Sequence, residues 1–160
     1  MKLAVAALLL IQTCASVSAP IRTQRESYTY RLGQFGEEVV IEGQFTAPAD
    51  VYIVNCNGAI GWGLQRKVDG RWVDAWIVAT DACLSAPIVV KAGGVRSYSH
   101  LLRTGGGGVV YPGKRQGVVD PGTYRIVWYG VLRSFDRDAR PFGEELPLEA
   151  RVSNEFFIRR

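Results

Sequence analysis

The chain reads as an all-β protein, and three observations say so. Apolar residues recur at every second position through most of its length. An Asp-Gly pair joins two such alternating runs, the strongest short-range hairpin signal. No segment after residue 18 sustains a helical period over three turns. Seven or eight antiparallel strands at this spacing imply a β-sandwich, because a sheet with one apolar face must bury it against another.

The elements follow in order. Glu38–Phe45 puts Val39, Ile41 and Phe45 on one face, with Glu38, Glu42 and Gln44 on the other. Asp50–Asn55 is a short apolar run suited to a strand covered on both sides. Ile60, Trp62, Leu64 and Val68 share the inward face of the next strand, while Gln65 and Lys67 face out. The Asp69-Gly70 turn needs positive φ at both residues, which Asp and Gly tolerate, and Trp72–Ala79 returns. Ile88–Lys91 and Ser97–Leu102 form a weaker pair around Ala92-Gly93-Gly94. Thr123–Val131 and Glu149–Arg159 are the last long strands. In the latter, Ala150, Val152, Phe156 and Ile158 alternate with Glu149, Arg151, Glu155 and Arg159.

Ahead of the strands, Met1-Lys2, the apolar run Leu3–Ile11 and the small residues Thr13–Ala19 have the order of a secretory signal peptide. The run falls short of the roughly 20 residues that span a bilayer. Cleavage after Ala15, Ser18 or Ala19 satisfies the small-residue rule, and the last would leave Pro20 first. Cys14 opens a second reading, a lipid anchor on that cysteine, although Ile11-Gln12-Thr13 is a poor lipobox. Removal of the segment is the reading adopted. The division is then 1–18 signal peptide, 19–36 an N-terminal extension with a first edge strand, and 37–160 the main domain. The protein is exported to the periplasm or the medium, with no transmembrane segment in the mature chain.

The 142 residues after Ser18 suffice for one domain with a real core. Net charge falls from +4 to +3 with the loss of Lys2, and no run of like charges marks a nucleic-acid or polybasic membrane tail. Export makes a disulfide credible. Cys56 and Cys83 flank the Trp62/Trp72 hairpin, so we expect them to pair, closing a loop worth about 3.5 kcal/mol in the chain-entropy model.

Catalytic signals are thin. His100 is the sole histidine, so a hydrolase would have to use it. It lies on a half-exposed strand without a nucleophile elbow, and the expectation is a surface or edge-strand residue. Asp136, Asp138, Glu144 and Glu145 are interleaved with Arg137 and Arg140, which reads as a solvated salt-bridging loop rather than an acid pair or a Ca²⁺ site. Gly108–Lys114 imitates the start of a phosphate loop but lacks the following Ser/Thr. No cofactor and no metal are expected. Thr104–Gly117 offers Val109, Val110, Tyr111, Lys114 and Arg115 as a binding loop beside four glycines, with a plain strand connection as the alternative. Trp62, Trp72, Trp76 and Trp128 fall in strands and read as core, Trp72 and Trp76 being the pair that could lie outside it.

One motif narrows the class. Asp120-Pro121-Gly122-Thr123-Tyr124-Arg125-Ile126 has the form D-x-G-x-Y-x-Φ. It resembles the entry to strand F of immunoglobulin-like domains, where the tyrosine hydroxyl bonds back to the backbone as a tyrosine corner. Asp120, Gly122 and Tyr124 would form it; a Pro-Gly turn before an ordinary strand is the plainer alternative. Together with LQRKVDGRW (Leu64–Trp72), DPGTYRIVW (Asp120–Trp128) and RVSNEFFI (Arg151–Ile158), the layout resembles bacterial secreted immunoglobulin-like domains. It is also similar to a bacillar proteinase-inhibitor family described as intracellular. The resemblance covers about Glu37 to Arg159 and implies an immunoglobulin-like β-sandwich serving as a non-catalytic binding or structural module, its partner an unidentified protein or envelope component. A secreted protease inhibitor is the alternative it carries. Such motifs specify fold far more than function.

Overall fold

The computed structural model describes residues 19–78, 85–103 and 119–160. In chain order the strands are β1 (Ile21–Thr23), β2 (Ser27–Thr29), β3 (Arg31–Gly33), β4 (Gly36–Thr46), β5 (Val51–Ile53), β6 (Asn55–Cys56) and β7 (Ala59–Ile60). They continue as β8 (Trp62–Val68), β9 (Arg71–Ile77), β10 (Ile88–Val90), β11 (Val95–Arg103), β12 (Gly122–Trp128), β13 (Val131–Leu132) and β14 (Phe156–Arg159). Among the described residues there is no α-helix, only one 3-10 turn at Leu148–Ala150. The all-β class is therefore observed.

Two larger sheets carry the core. In one, β4 is flanked by β11 and β1, and β3 pairs with its N-terminal end. The other runs β2-β14-β12-β8-β9, antiparallel except for the parallel β2–β14 contact. The alternation in β4 buries Val39, Ile41 and Phe45, and from β11 it buries Tyr98, His100 and Leu102. These side chains meet Trp62, Leu64, Ile126 and Trp128 of the second sheet. Phe45 lies 5.1 Å from Trp128 and His100 4.2 Å from Trp62, centroid to centroid, so the two sheets touch face to face through aromatic rings. Ile21, Tyr28 and Tyr30 of the 19–36 segment are buried in the same core. Two small sheets, β10-β5-β13 and β6-β7, complete the described fold.

Local signals explain where the chain turns. Asp69 and Gly70 have φ of 49° and 77°, the two positive values a tight hairpin needs, and Val68 faces Arg71 across it. Gly43 opposes Tyr98 in the β4–β11 ladder, and a Cβ there would strike the Tyr98 ring and the Arg22 carbonyl. The missing side chain lets the tyrosine lie across the strand.

Four strand-level expectations are corrected. Ile88–Lys91 and Ser97–Leu102 do not pair with each other: β10 joins β5 and β11 joins β4, in different sheets. The run Glu149–Arg159 is broken into the 3-10 turn, isolated bridges at Val152 and Ser153, and β14. There, side chains take over the ladder's role. The Ile126 N–H donates to Ser153 Oγ at 2.8 Å, and the Thr23 N–H to Asn154 Oδ1 at 2.8 Å. Val68 is exposed, paired with Arg71 at the hairpin end. Trp72 and Trp76, two pleats apart, do not share a face. Leu64 pairs with Trp76 but Gln65 with Asp74, so Ala75 is an extra residue that reverses the phase. Trp76 packs on Trp62 at 4.5 Å in the core, while Trp72 lies outside under the Arg125 guanidinium.

Candidate functional site

The D-x-G-x-Y segment enters β12. The Tyr124 hydroxyl donates to the Asp120 carbonyl oxygen at 2.5 Å, four residues upstream, and the ring is buried. Burial raises its pKa, the Arg66 guanidinium opposing the shift. Arg66 also donates to the Pro121 carbonyl at 3.0 Å and stands 3.8 Å from the Asp120 carboxylate. Gly122 leaves room for it, since a Cβ would come within 2.9 Å of Arg66 Nε.

His100 stands on β11, an edge strand of its sheet, as one half of the expectation had it, but it is not a surface residue: it lies on the inward face and is only 6% exposed. Its ring stacks on Trp62 within 7° of parallel and lies 4.7 Å from Tyr98. Trp128 Nε1 donates to His100 Nε2 at 3.0 Å, which makes Nε2 an acceptor and leaves the proton on Nδ1. Burial alone lowers its pKa to about 3, so the imidazole is neutral at physiological pH. It serves here as an acceptor for a buried indole.

The charged stretch after β13 pairs differently from its sequence neighbours. Glu144 lies 3.9 Å from Arg133, and Glu145 lies 3.0 Å from Arg151. Glu145 also accepts from the Gly130 N–H at 2.7 Å. Arg140 turns back to the carbonyls of Arg137 and Ala139 and covers the Phe142 ring at 4.1 Å. Asp136 caps the Asp138 N–H at 2.9 Å. No group of three or more metal-ligating side chains gathers among the described residues.

The same loop builds an apolar pocket. Phe135 and Phe142 stack at 5.7 Å, and Tyr52 of β5 stacks on Phe135 at 6.5 Å. An Asp136 N–H bond to the Phe142 carbonyl at 2.6 Å closes the loop beneath them. Opposite stand Val54, Ser85, Ala86 and Pro87, with Arg137 at the rim, around a cavity of about 190 Å³. The far wall is fixed by the turn that carries Cys56. Asn55, buried, donates to the Ala86 carbonyl at 2.8 Å and accepts from the Gly58 N–H at 2.9 Å. The Asn57 N–H donates to Ser85 Oγ at 3.1 Å. Cys56 is disulfide-bonded, and its partner lies outside the described residues. A wider groove of about 380 Å³ between β2, β3 and β4 mixes Arg25, Arg31, Glu38 and Glu42, with no converging set of groups.

Cys83 and the loop residues Val109, Val110, Tyr111, Lys114 and Arg115 lie outside the described residues, as do Cys14 and the leader. Sequence reading missed the pocket. Its signal was Phe135 and Phe142, seven positions apart inside a stretch judged by its charges.

No protein-family model matches this chain, and neither does any curated protein. Among solved structures, the chain is similar to the alkylpurine DNA glycosylase AlkC of Pseudomonas fluorescens bound to DNA containing an abasic-site analogue. The match has 13% identity and a TM-score of 0.31, and covers 88% of this chain and 29% of that one.

Proposed function

We propose that this chain is an exported, non-catalytic immunoglobulin-like β-sandwich module that binds a protein or another component of the cell envelope or medium. Its export rests on the leader-like order of residues 1–18, and its class on the strand-and-turn motifs together with two sheets meeting through an aromatic core. The Tyr124–Asp120 bond supports a tyrosine corner in that class. The disulfide on Cys56 supports a Cys56–Cys83 bridge, which would tie the turn at Asn55–Gly58 to the following loop.

The observation that carries the binding reading is the preformed apolar pocket at Val54, Phe135 and Phe142, walled by structure that the Asn55 network holds in place. Pre-organised apolar hollows with one polar rim group are where globular domains take ligands. The case against a hydrolase is that His100, although it borders a groove with Ser97 and Ser99, is packed against Trp62, Tyr98 and Trp128 and its Nε2 is committed to Trp128 Nε1.

Affinity capture from envelope and secreted fractions with the disulfide-bonded protein tests the proposal. A saturable partner, competed by free protein, is expected. Substrate turnover that survives purification and is lost in His100→Gln would overturn it.

A further inference from the structure

The geometry points to the occupant of the Val54–Phe142 pocket: one aromatic side chain of an acidic peptide segment, its ring in the pocket and a neighbouring carboxylate on Arg137. This rests on the binding-module reading and sharpens it.

Size comes first. A dry cavity of about 150 Å³ is enough to hold benzene, whereas drug-sized ligands need about 300 Å³ or more. At about 190 Å³ this pocket takes one ring. Its walls suit a ring, since Phe135 and Phe142 lie within 21° of parallel and Val54, Ala86 and Pro87 face them with little polar surface.

Charge comes second. Among the described residues, Arg137 is the one charged residue lining the pocket. Its guanidinium makes no ion pair or hydrogen bond with any described residue, in contrast to Arg133 and Arg151, which face Glu144 and Glu145, and Arg140, which lies on Phe142. Asp136 and Asp138 flank Arg137 in the chain but do not line the pocket. An anionic group beside the bound ring therefore meets a guanidinium that no described residue engages.

Rigidity comes third. The Phe135 ring is backed by Tyr52, the Ala86 carbonyl is held by Asn55, and the Val54 N–H is bonded to the Gly130 carbonyl at 2.9 Å. A wall fixed before binding spares the ordering cost that a loose loop would incur.

The test uses N-acetyl-phenylalanine and its neutral amide as probes, followed by NMR on the disulfide-bonded protein. Saturable shifts at Val54, Ala86, Phe135 and Phe142 are expected, with a Kd of about 1 mM for the acid. The amide should bind about two- to five-fold more weakly, the size of an exposed ion pair. Arg137→Gln should erase the preference for the acid and keep ring binding. Phe142→Ala should weaken both probes while the remaining spectrum stays folded. The absence of saturable shifts in the wild type up to about 20 mM, or an acid preference unchanged by Arg137→Gln, overturns the proposal. A partner captured equally well by Phe142→Ala would leave the module reading standing and this pocket assignment refuted.

Discussion

Replacing His100 with Gln should change how stability depends on pH, because the native imidazole cannot be protonated where it sits. The faces around it are the rings of Trp62, Tyr98 and Trp128, none of them charged, and burial alone lowers its pKa to about 3. In the unfolded chain the same group titrates near 6.5. Between those two values the unfolded state binds a proton that the native state does not, so stability is fully present above about pH 6.5 and falls as the pH drops towards 3. The slope is about 1.4 kcal/mol per pH unit. Gln keeps an acceptor for Trp128 Nε1 but loses the stacked ring, so at pH 7.5 it should be less stable by about 1–3 kcal/mol. That gap should close by about 2.7 kcal/mol on acidification to pH 4.5, bringing the two proteins near parity. Denaturant unfolding of both across pH 4–8 measures this. Because the chain has a single histidine, its ring signals in NMR also report the pKa without ambiguity. Parallel stability curves, or a His100 that titrates near 6.5 in the folded protein, would refute the reasoning.

Other outcomes follow from the same packing. Tyr124→Phe removes the donor to the Asp120 carbonyl and should lower the denaturant midpoint by the equivalent of about 0.5–1.5 kcal/mol, with the m-value unchanged. Gly43→Ala drives a methyl into the Tyr98 ring and the Arg22 backbone, and should cost about 1–3 kcal/mol in thermal or denaturant unfolding. Cys56→Ser should cost about 3.5 kcal/mol and, if Cys83 is the partner, leave one free thiol in the mature protein, seen by intact mass after alkylation. Trp72→Ala should shift stability by no more than about 1 kcal/mol, since its partners are the half-buried Arg125 and the exposed Lys67 outside the core, whereas Trp62→Ala should cost about 3–5 kcal/mol.

What was legible in the sequence was whatever a period of two and a turn dipeptide can encode. The inward face of β4, the Asp69-Gly70 hairpin and the strand after Gly122 all have local causes, and they lie where those causes put them. Partner choice was not legible. β10 and β11 are joined by a short turn, yet the apolar faces they must cover belong to β5 and β4. Phase within a strand fails at a bulge, and Ala75 gives no sign of being one, so Trp72 and Trp76 were bracketed together. His100 was misplaced for a related reason. A lone polar residue on an alternating strand was expected at the surface or on an edge strand; the strand is an edge, but the side chain turns inward to the indole of Trp128, far away in sequence. The pocket went unread because Phe135 and Phe142 only become neighbours once the loop between them closes through the Asp136–Phe142 backbone bond.

The central claim is that this is an exported module binding a partner at the Cys56-tethered end. The most direct measurement is parallel capture from envelope and secreted fractions with the disulfide-bonded wild type and with Val54→Trp, whose indole fills the pocket. A saturable partner is expected to be held by the wild type and lost from the filled variant, both proteins having the same far-UV spectrum. Recovery of no saturable partner by the wild type, or of the same partner by both at equal yield, would contradict it.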